Sequence, residues 1–126
     1  MPTQKRRPDM PLRIRQLTVT DADLERFWPQ VAAPDENGCT LWTGITYNGE
    51  YGRFRIGRDQ YVAHRVAWEA YMGDIPEGYT LDHVYDWGCR SKLCVWIGHL
   101  EPVTHAENNR RRCAVIRAKT RAALAR

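Results

Sequence analysis

The 126-residue sequence has no apolar run that approaches the length of a membrane span, and no signal-peptide core follows its basic start. Only 43% of its residues are hydrophobic, so we expect one small domain without a large core. A cytoplasmic protein is therefore expected, in which the four cysteines stay reduced and bind metal rather than pair. Disulfides are the alternative, but a structural metal is a common supplement in a domain of this size.

Acidic residues are missing from 110–126, which holds seven Lys or Arg. Residues 1–16 hold five basic residues and one acid, so the segment 17–109 keeps seven basic and fourteen acidic residues and is net −7. Basic ends around an acidic body are typical of arms that bind phosphates, although a solvated helix and a disordered tail explain the charges equally well. With three prolines and no apolar period, 1–16 is expected to be a flexible basic arm before a single domain at 17–126.

Short helices and strands are predicted along the rest of the chain. Thr20 predicts the N-cap of a first helix, which Pro29 and Pro34 keep short. Alternating apolar residues and turn signals predict the other elements. These are strands at 41–43, 51–56 and 60–63 with turns at 48–49 and 57–59, a helix at 64–72, strands at 79–83 and 99–104, and a final helix from about His105.

Two details of these helices can be predicted from single residues. Gly73 is expected to end the helix over 64–72, whose inward residues include Tyr71. Thr104 and Glu107 are expected to form a capping box at the start of the final helix.

Arginines mark one face of the predicted ribbon. Arg53 and Arg55 lie on the same face of the second strand, and Arg58 lies in the turn that follows. A two- or three-stranded ribbon with paired arginines fits a DNA major groove. An ordinary solvated sheet face is the alternative.

Soft metal ligands are grouped after the fourth predicted strand. Cys89, Cys94 and His99 are each separated by four residues and offer thiolate and imidazole groups, which suit zinc.

Hard ligands flank this group on both sides. Asp82 and Asn108 offer oxygens, which suit magnesium, and His83 beside Asp82 can act as a base near neutral pH. One metal that holds a loop and another beside a histidine is what cleavage of a phosphodiester needs. Taken alone, His83 is better explained as a packed residue at a strand end.

The ordered set of motifs resembles the HNH, or ββα-metal, nucleases, and in particular phage HNH endonucleases and the zinc-containing His-Cys box homing endonucleases. The resemblance runs from about Cys39 to Arg112. It is carried by Cys39-Thr-Leu-Trp-Thr-Gly44, Tyr51-Gly-Arg-Phe54, His64-Arg-Val-Ala67, Leu81-Asp-His83, Cys94, His99-Leu-Glu-Pro-Val-Thr104 and Glu107-Asn108. It implies an α+β fold with a DNA-binding sheet at about 39–64 and a ββα-metal core at about 79–113, followed by a basic C-terminal helix.

The resemblance also implies roles for single residues. His83 would be the general base, Asn108 would bind a catalytic Mg²⁺ or Mn²⁺, and Asp82 would supply the second ligand that some members have. Arg53 or Arg55 would neutralise charge on the phosphate. The products would be a 5′-phosphate and a 3′-hydroxyl.

A structural zinc is implied in the same way. Its ligands would be Cys39, Cys89, Cys94 and His99, with Cys39 as a buried apolar residue in the alternative interpretation. Cys113 matches no ligand position.

One position departs from the family. Its members commonly have Asn-Pro after the second loop cysteine, where this chain has Val95-Trp96. An indole offers a single donor and cannot replace the amide, so either a backbone carbonyl orients His83 or catalysis is impaired.

The resulting hypothesis is a phage- or mobile-element-encoded endonuclease that acts on double-stranded DNA in the host cell. Arg110 and Arg111 would contact the DNA backbone. The resemblance leaves open nicking or double-strand cleavage, homing or packaging, and a homodimer or a phage packaging partner. Two rival hypotheses are a non-catalytic, zinc-stabilised DNA-binding module and a zinc-stapled adaptor between proteins.

Overall fold

The computed structural model describes residues 17–124, so the predicted basic arm at 1–16 lies outside the described residues. Helix α1 spans Asp21–Phe27 and begins as predicted at Thr20. The Thr20 hydroxyl accepts a hydrogen bond from the Asp23 N–H at 3.2 Å, and the Asp23 carboxylate accepts one from the Thr20 N–H at 2.9 Å. This reciprocal capping box satisfies two donors at the start of the helix. A short 3-10 helix, Trp28–Gln30, follows it.

A three-stranded antiparallel sheet follows, in the order β1 (Thr46–Tyr47), β2 (Tyr51–Ile56) and β3 (Asp59–Val62). Asn48 and Gly49 both have positive φ, 52° and 77°, as the predicted tight hairpin turn requires.

The prediction of a strand at 41–43 was wrong. Leu41 and Trp42 form only isolated bridges, Leu41 with Cys94 and Trp42 with Val31. Because the two partners come from different parts of the chain, no continuous ladder forms there.

Helix α2 spans Ala63–Met72 and ends at Gly73, whose φ is 92°, as predicted. The expectation that Tyr71 faces inward was wrong, since it is 51% exposed and its hydroxyl accepts a hydrogen bond from Trp28 Nε1 at 2.8 Å. The phenol therefore keeps its polar end at the surface. His64 and Glu69 are buried instead.

The core lies between α1, α2 and the sheet. The rings of Phe27, Trp42 and Phe54 pack together with centroid separations of 4.9 to 5.9 Å. Each buried side chain of this kind contributes about 1.5–3 kcal/mol. Gly52 allows this packing, because a Cβ there would lie 2.6 Å from Trp42 Cδ1 and 2.7 Å from Ala63 Cβ.

A second antiparallel pair carries the remaining predicted motifs. Strand β4 (Tyr79–His83) pairs with β5 (Leu100–Thr104), which places His83 opposite Leu100. Helix α3 (His105–Leu124) follows directly, and the Thr104 hydroxyl accepts a hydrogen bond from the Glu107 N–H at 3.2 Å.

The predicted α+β fold is confirmed. It has small antiparallel sheets and a basic C-terminal helix. Among the helices within 17–124, none has the length and apolar character that crossing a membrane demands.

Candidate metal centre and active site

Four buried side chains meet in the loop between β4 and β5. The ligand atoms of Cys39, Cys89, Cys94 and His99 all lie within 4.8 Å of one another. His99 Nδ1 lies 3.6 Å from the sulfurs of both Cys39 and Cys94. Tetrahedral zinc, with Zn–S of about 2.3 Å and Zn–N of about 2.0–2.1 Å, separates sulfur and nitrogen ligands by about 3.6 Å. The donor types and their spacing therefore fit structural zinc, in agreement with the predicted ligand set.

Local hydrogen bonds bring Cys39 to this cluster from far along the chain. The Asp35 carboxylate accepts a hydrogen bond from the Cys39 N–H at 2.9 Å, and the Asp35 N–H donates to the Cys39 carbonyl at 2.9 Å. The Arg90 N–H points at the Cys39 sulfur at 3.5 Å. Backbone donors of this kind stabilise a thiolate.

The thiols of the cluster differ in acidity. A hydrogen bond from Cys89 lowers the pKa of Cys94 to about 5. Burial raises the pKa of Cys39, and the neighbouring Cys94 raises it further. Cysteine binds zinc as a thiolate, so a bound zinc would hold all three cysteines deprotonated.

Trp96, at the position of the family's loop asparagine, covers one side of this cluster. Its ring centroid lies 4.6 Å from that of His99, at an interplanar angle of 64°. Gly98 permits this, because a Cβ there would approach the Trp96 ring to 2.6 Å. Trp96 therefore shields a predicted metal ligand.

His83, the predicted base, ends strand β4 beside the metal cluster. Its Nδ1 lies 3.6 Å from Cys89 Sγ, while its Nε2 is buried and has no hydrogen-bond partner among the described residues. Burial, followed by the charges of His99 and Lys92, lowers the pKa of His83 to about 4. The ring is therefore neutral at physiological pH, and its Nε2 is a buried polar atom without a partner among the described residues.

His64 is a neighbour of His83 that sequence reasoning missed. The two imidazole centroids lie 4.5 Å apart, and His64 Nδ1 is likewise buried without a partner among the described residues. Burial and the nearby His83 lower the pKa of His64 to about 3. The only available signal was its place in the His64-Arg-Val-Ala67 motif, which gives no contact with His83.

Two predicted site residues contact each other. Asp82 Oδ2 accepts a hydrogen bond from Arg111 at 3.1 Å, and Arg111 also pairs with Glu101 at 2.6 Å and Glu107 at 2.9 Å. Arg111, predicted to contact DNA, thus lies among three carboxylates. One oxygen of the predicted metal ligand Asp82 is engaged in this network.

The other predicted residues of α3 lie in its first turns. Asn108 is half-buried, directly after Glu107. Arg110 is exposed and forms a two-point ion pair with Glu107, at 2.8 and 2.6 Å. Both assignments stay predictions.

The predicted ribbon arginines have different surroundings. The Arg53 guanidinium lies over the Tyr47 ring, 5.6 Å from its centroid. Arg55 Nε donates to the Gly57 carbonyl at 2.8 Å. Arg58 is exposed in the turn between β2 and β3.

Comparison with known proteins bears on this arrangement. Residues 61–110, which include β4, the metal loop and the start of α3, match the family model described as HNH endonuclease. Over these residues, the match confirms the resemblance predicted from the motifs.

A phage protein is also similar to this chain. The chain is 31% identical over 71 residues to the "Uncharacterized gene 5.3 protein" of Enterobacteria phage T3. The match covers 51% of this chain and 66% of the phage protein, just under two thirds of its length. No solved structure matches.

Proposed function

We propose that this protein is a metal-dependent HNH endonuclease that hydrolyses phosphodiester bonds in double-stranded DNA. The observation that carries the proposal is His83, a neutral imidazole at the end of β4 with a buried, unpartnered Nε2. The HNH match covers this residue. The domain would comprise residues 17–126, and the protein would act on DNA inside a host cell, as a phage- or mobile-element-encoded enzyme.

His83 would begin the reaction. Its Nε2 takes a proton from a water molecule, whose oxygen forms a bond to the scissile phosphorus. The bond from phosphorus to the 3′ oxygen breaks, and that oxygen takes a proton from solvent. The products are a 5′-phosphate and a 3′-hydroxyl.

Two side-chain oxygens proposed as ligands suit a hard divalent ion. Asn108 and Asp82 offer the one or two protein oxygens that Mg²⁺ or Mn²⁺ typically takes alongside water and phosphate. Such an ion supplies positive charge for the phosphate and the leaving oxygen. Arg111 keeps Asp82 in place on β4 through its contact at 3.1 Å.

Basic side chains would hold the DNA backbone. Arg58 is exposed, and Arg53 and Arg55 lie on the adjoining strand β2. Arg110 would contact phosphates from α3 once its pairing with Glu107 is exchanged. Contacts of this kind position an enzyme without specifying sequence.

Cleavage of supercoiled plasmid tests the proposal. The zinc-loaded protein with Mg²⁺ or Mn²⁺ should produce nicked or linear DNA, and His83→Ala should abolish it. His105→Ala is the matched control, because His105 is an exposed histidine at the start of α3. Intact plasmid with the wild-type protein under both ions would reject the proposal.

DNA binding without cleavage would favour the non-catalytic module. Arg58→Ala should weaken DNA binding. It should also reduce the slope of the logarithm of the binding constant against the logarithm of the salt concentration by about one. Arg26→Ala removes the same charge from a guanidinium already paired with Asp23 at 3.0 Å, so it should change binding less. A protein with no salt-dependent DNA affinity would instead be an adaptor.

A further inference from the structure

Cys89 contacts a residue outside the metal cluster as well as those within it. Its sulfur lies 3.6 Å from His83 Nδ1, the nitrogen on the opposite side of the ring from the proposed base atom. We propose that Cys89 is a positioning residue for His83. Its metal-bound thiolate accepts a hydrogen bond from His83 Nδ1–H and so leaves Nε2 free to accept a proton. This inference rests on the proposed function of His83.

A zinc ion held by Cys89 would determine whether the sulfur or His83 Nδ1 donates. A free thiol at Cys89 can give its proton to another group, and the Ser91 carbonyl lies 3.5 Å from its sulfur. A cysteine that ligates zinc is a thiolate, which has no proton to give and only accepts. The proton of the Cys89–His83 contact must then lie on Nδ1. A neutral imidazole has one N–H, so Nε2 carries the lone pair.

His83 is not itself a member of the metal cluster. The ligand atoms that lie within 4.8 Å of one another come from Cys39, Cys89, Cys94 and His99, which already complete a tetrahedral set. His83 touches this set through Cys89. Hydrogen bonds from outside groups to metal ligands are common, and they fix the orientation of both partners.

The backbone holds the two side chains in this relation. The Cys89 N–H donates to the Val84 carbonyl at 3.3 Å, and the Val84 N–H donates to the His99 carbonyl at 2.8 Å. Gly88 turns the chain with a φ of 103°, and a Cβ there would lie 3.4 Å from the Asn37 carbonyl oxygen. The turn therefore aims Cys89 at both the cluster and His83.

The contact between Cys89 and His83 also bears on the position where this chain has Trp96 and the family commonly has an asparagine. This chain has no asparagine in the loop where the family uses one against the base, and Trp96 packs on His99 instead. Cys89 would provide an acceptor for Nδ1, in place of the backbone carbonyl or the impaired catalysis that the sequence left as alternatives.

Imidazole tautomers in the zinc-loaded full chain test the inference. With isotope-labelled histidine, long-range proton–nitrogen correlation spectra should show His83 protonated at Nδ1 and unprotonated at Nε2. In protein loaded with a magnetic cadmium isotope, the Nδ1 proton should couple to the metal across the N–H···S bond. A proton on Nε2, or direct bonding of His83 to the metal, would overturn the proposal.

Two matched ligand exchanges separate positioning from a general effect on the metal. Cys89→His keeps a metal ligand but removes the thiolate acceptor, so His83 should lose its fixed tautomer and cleavage should fall by about 10–100-fold. Cys94→His makes the same exchange at a ligand that contacts His99 and Cys89, and it keeps the Cys89 thiolate, so the His83 tautomer should not change. Zinc content is measured for both.

The outcomes distinguish this inference from the proposed function. An unchanged tautomer in zinc-loaded Cys89→His contradicts the positioning role even if the wild type cleaves DNA. The expected tautomer and cadmium coupling in a protein that never cleaves would support the contact and reject the nuclease. If Cys89→His fails to fold, the wild-type tautomer and coupling alone decide.

Discussion

The guanidinium of Arg111 lies 3.1 Å from Asp82 Oδ2 and thereby joins helix α3 to the strand that carries His83. The same guanidinium contacts Glu101 at 2.6 Å on strand β5. One side chain thus links all three elements of the ββα unit.

Arg111→Gln should therefore destabilise the ββα unit. It leaves the Asp82 and Glu101 carboxylates without their shared cation, and the loss should be about 1 kcal/mol, because the network is partly exposed to solvent. Urea unfolding of the zinc-loaded protein measures the change. Arg112→Gln, at the exposed next position, should have little effect. Equal midpoints for the two variants would contradict a structural role for Arg111.

Cys94→Ser should reduce both zinc content and stability. Cys94 is fully buried in the ligand cluster, and metal binding contributes directly to folding where the ligands bind only in the folded state. Metal analysis should find about one zinc per wild-type chain, with the melting temperature lowered in the variant and by chelator.

The exposed Cys113 supplies the control for that experiment. Cys113→Ser should leave zinc content and melting temperature unchanged. Wild-type protein prepared without chelator that contains no zinc would reject the ligand set.

Asn108→Ala should raise the Mg²⁺ concentration needed for half-maximal cleavage and lower the maximal rate, because it removes a proposed oxygen ligand. Asn109→Ala removes the same group from the exposed next position of α3. Metal titrations of plasmid cleavage compare the two variants. A larger effect at Asn109 would show that the assignment along the helix is wrong.

Low pH should destabilise the fold through His64. Its pKa of about 3 in the folded chain lies below the value of 6.5 for a free imidazole, so the unfolded chain binds the extra proton between these values. The stability contributed by the neutral ring is complete above pH 6.5 and is lost as the pH falls towards 3. The slope approaches about 1.4 kcal/mol per pH unit.

Comparison with His64→Leu isolates this contribution, because the metal ligands are the same in both proteins. The difference in unfolding free energy between wild type and variant should shrink as the pH is lowered from 7 to about 5. A difference that stays constant over this range would show that the folded protein accepts the charge on His64.

Local signals in the sequence were sufficient for several elements. The Thr20 cap, the Asn48-Gly49 turn and the bounds of β4 follow from residue types that act on their immediate neighbours. The ligand set was predicted from spacing together with a family resemblance. The cluster geometry agrees with it, since all four ligand atoms converge.

Contacts between distant segments could not be predicted from these local signals. The interrupted bridges of Leu41 and Trp42 depend on partners far along the chain, so alternating polarity at 41–43 wrongly predicted a strand. The charge of Arg111 gave no indication that three carboxylates surround it. The approach of His64 to His83 arises only when α2 packs beside β4.

The short turn from His83 to Cys89 has an evolutionary consequence. Since its two ends carry the proposed base and a predicted metal ligand, an insertion or deletion between Val84 and Gly88 would shift the imidazole and the sulfur relative to each other. Sequence changes in this turn should be confined to substitutions that keep its length and Gly88. The hairpin tip at Asn48-Gly49 is under no such restriction, because a Cβ on Gly49 would meet nothing within 4 Å. That tip is therefore free to lengthen among descendants of this chain.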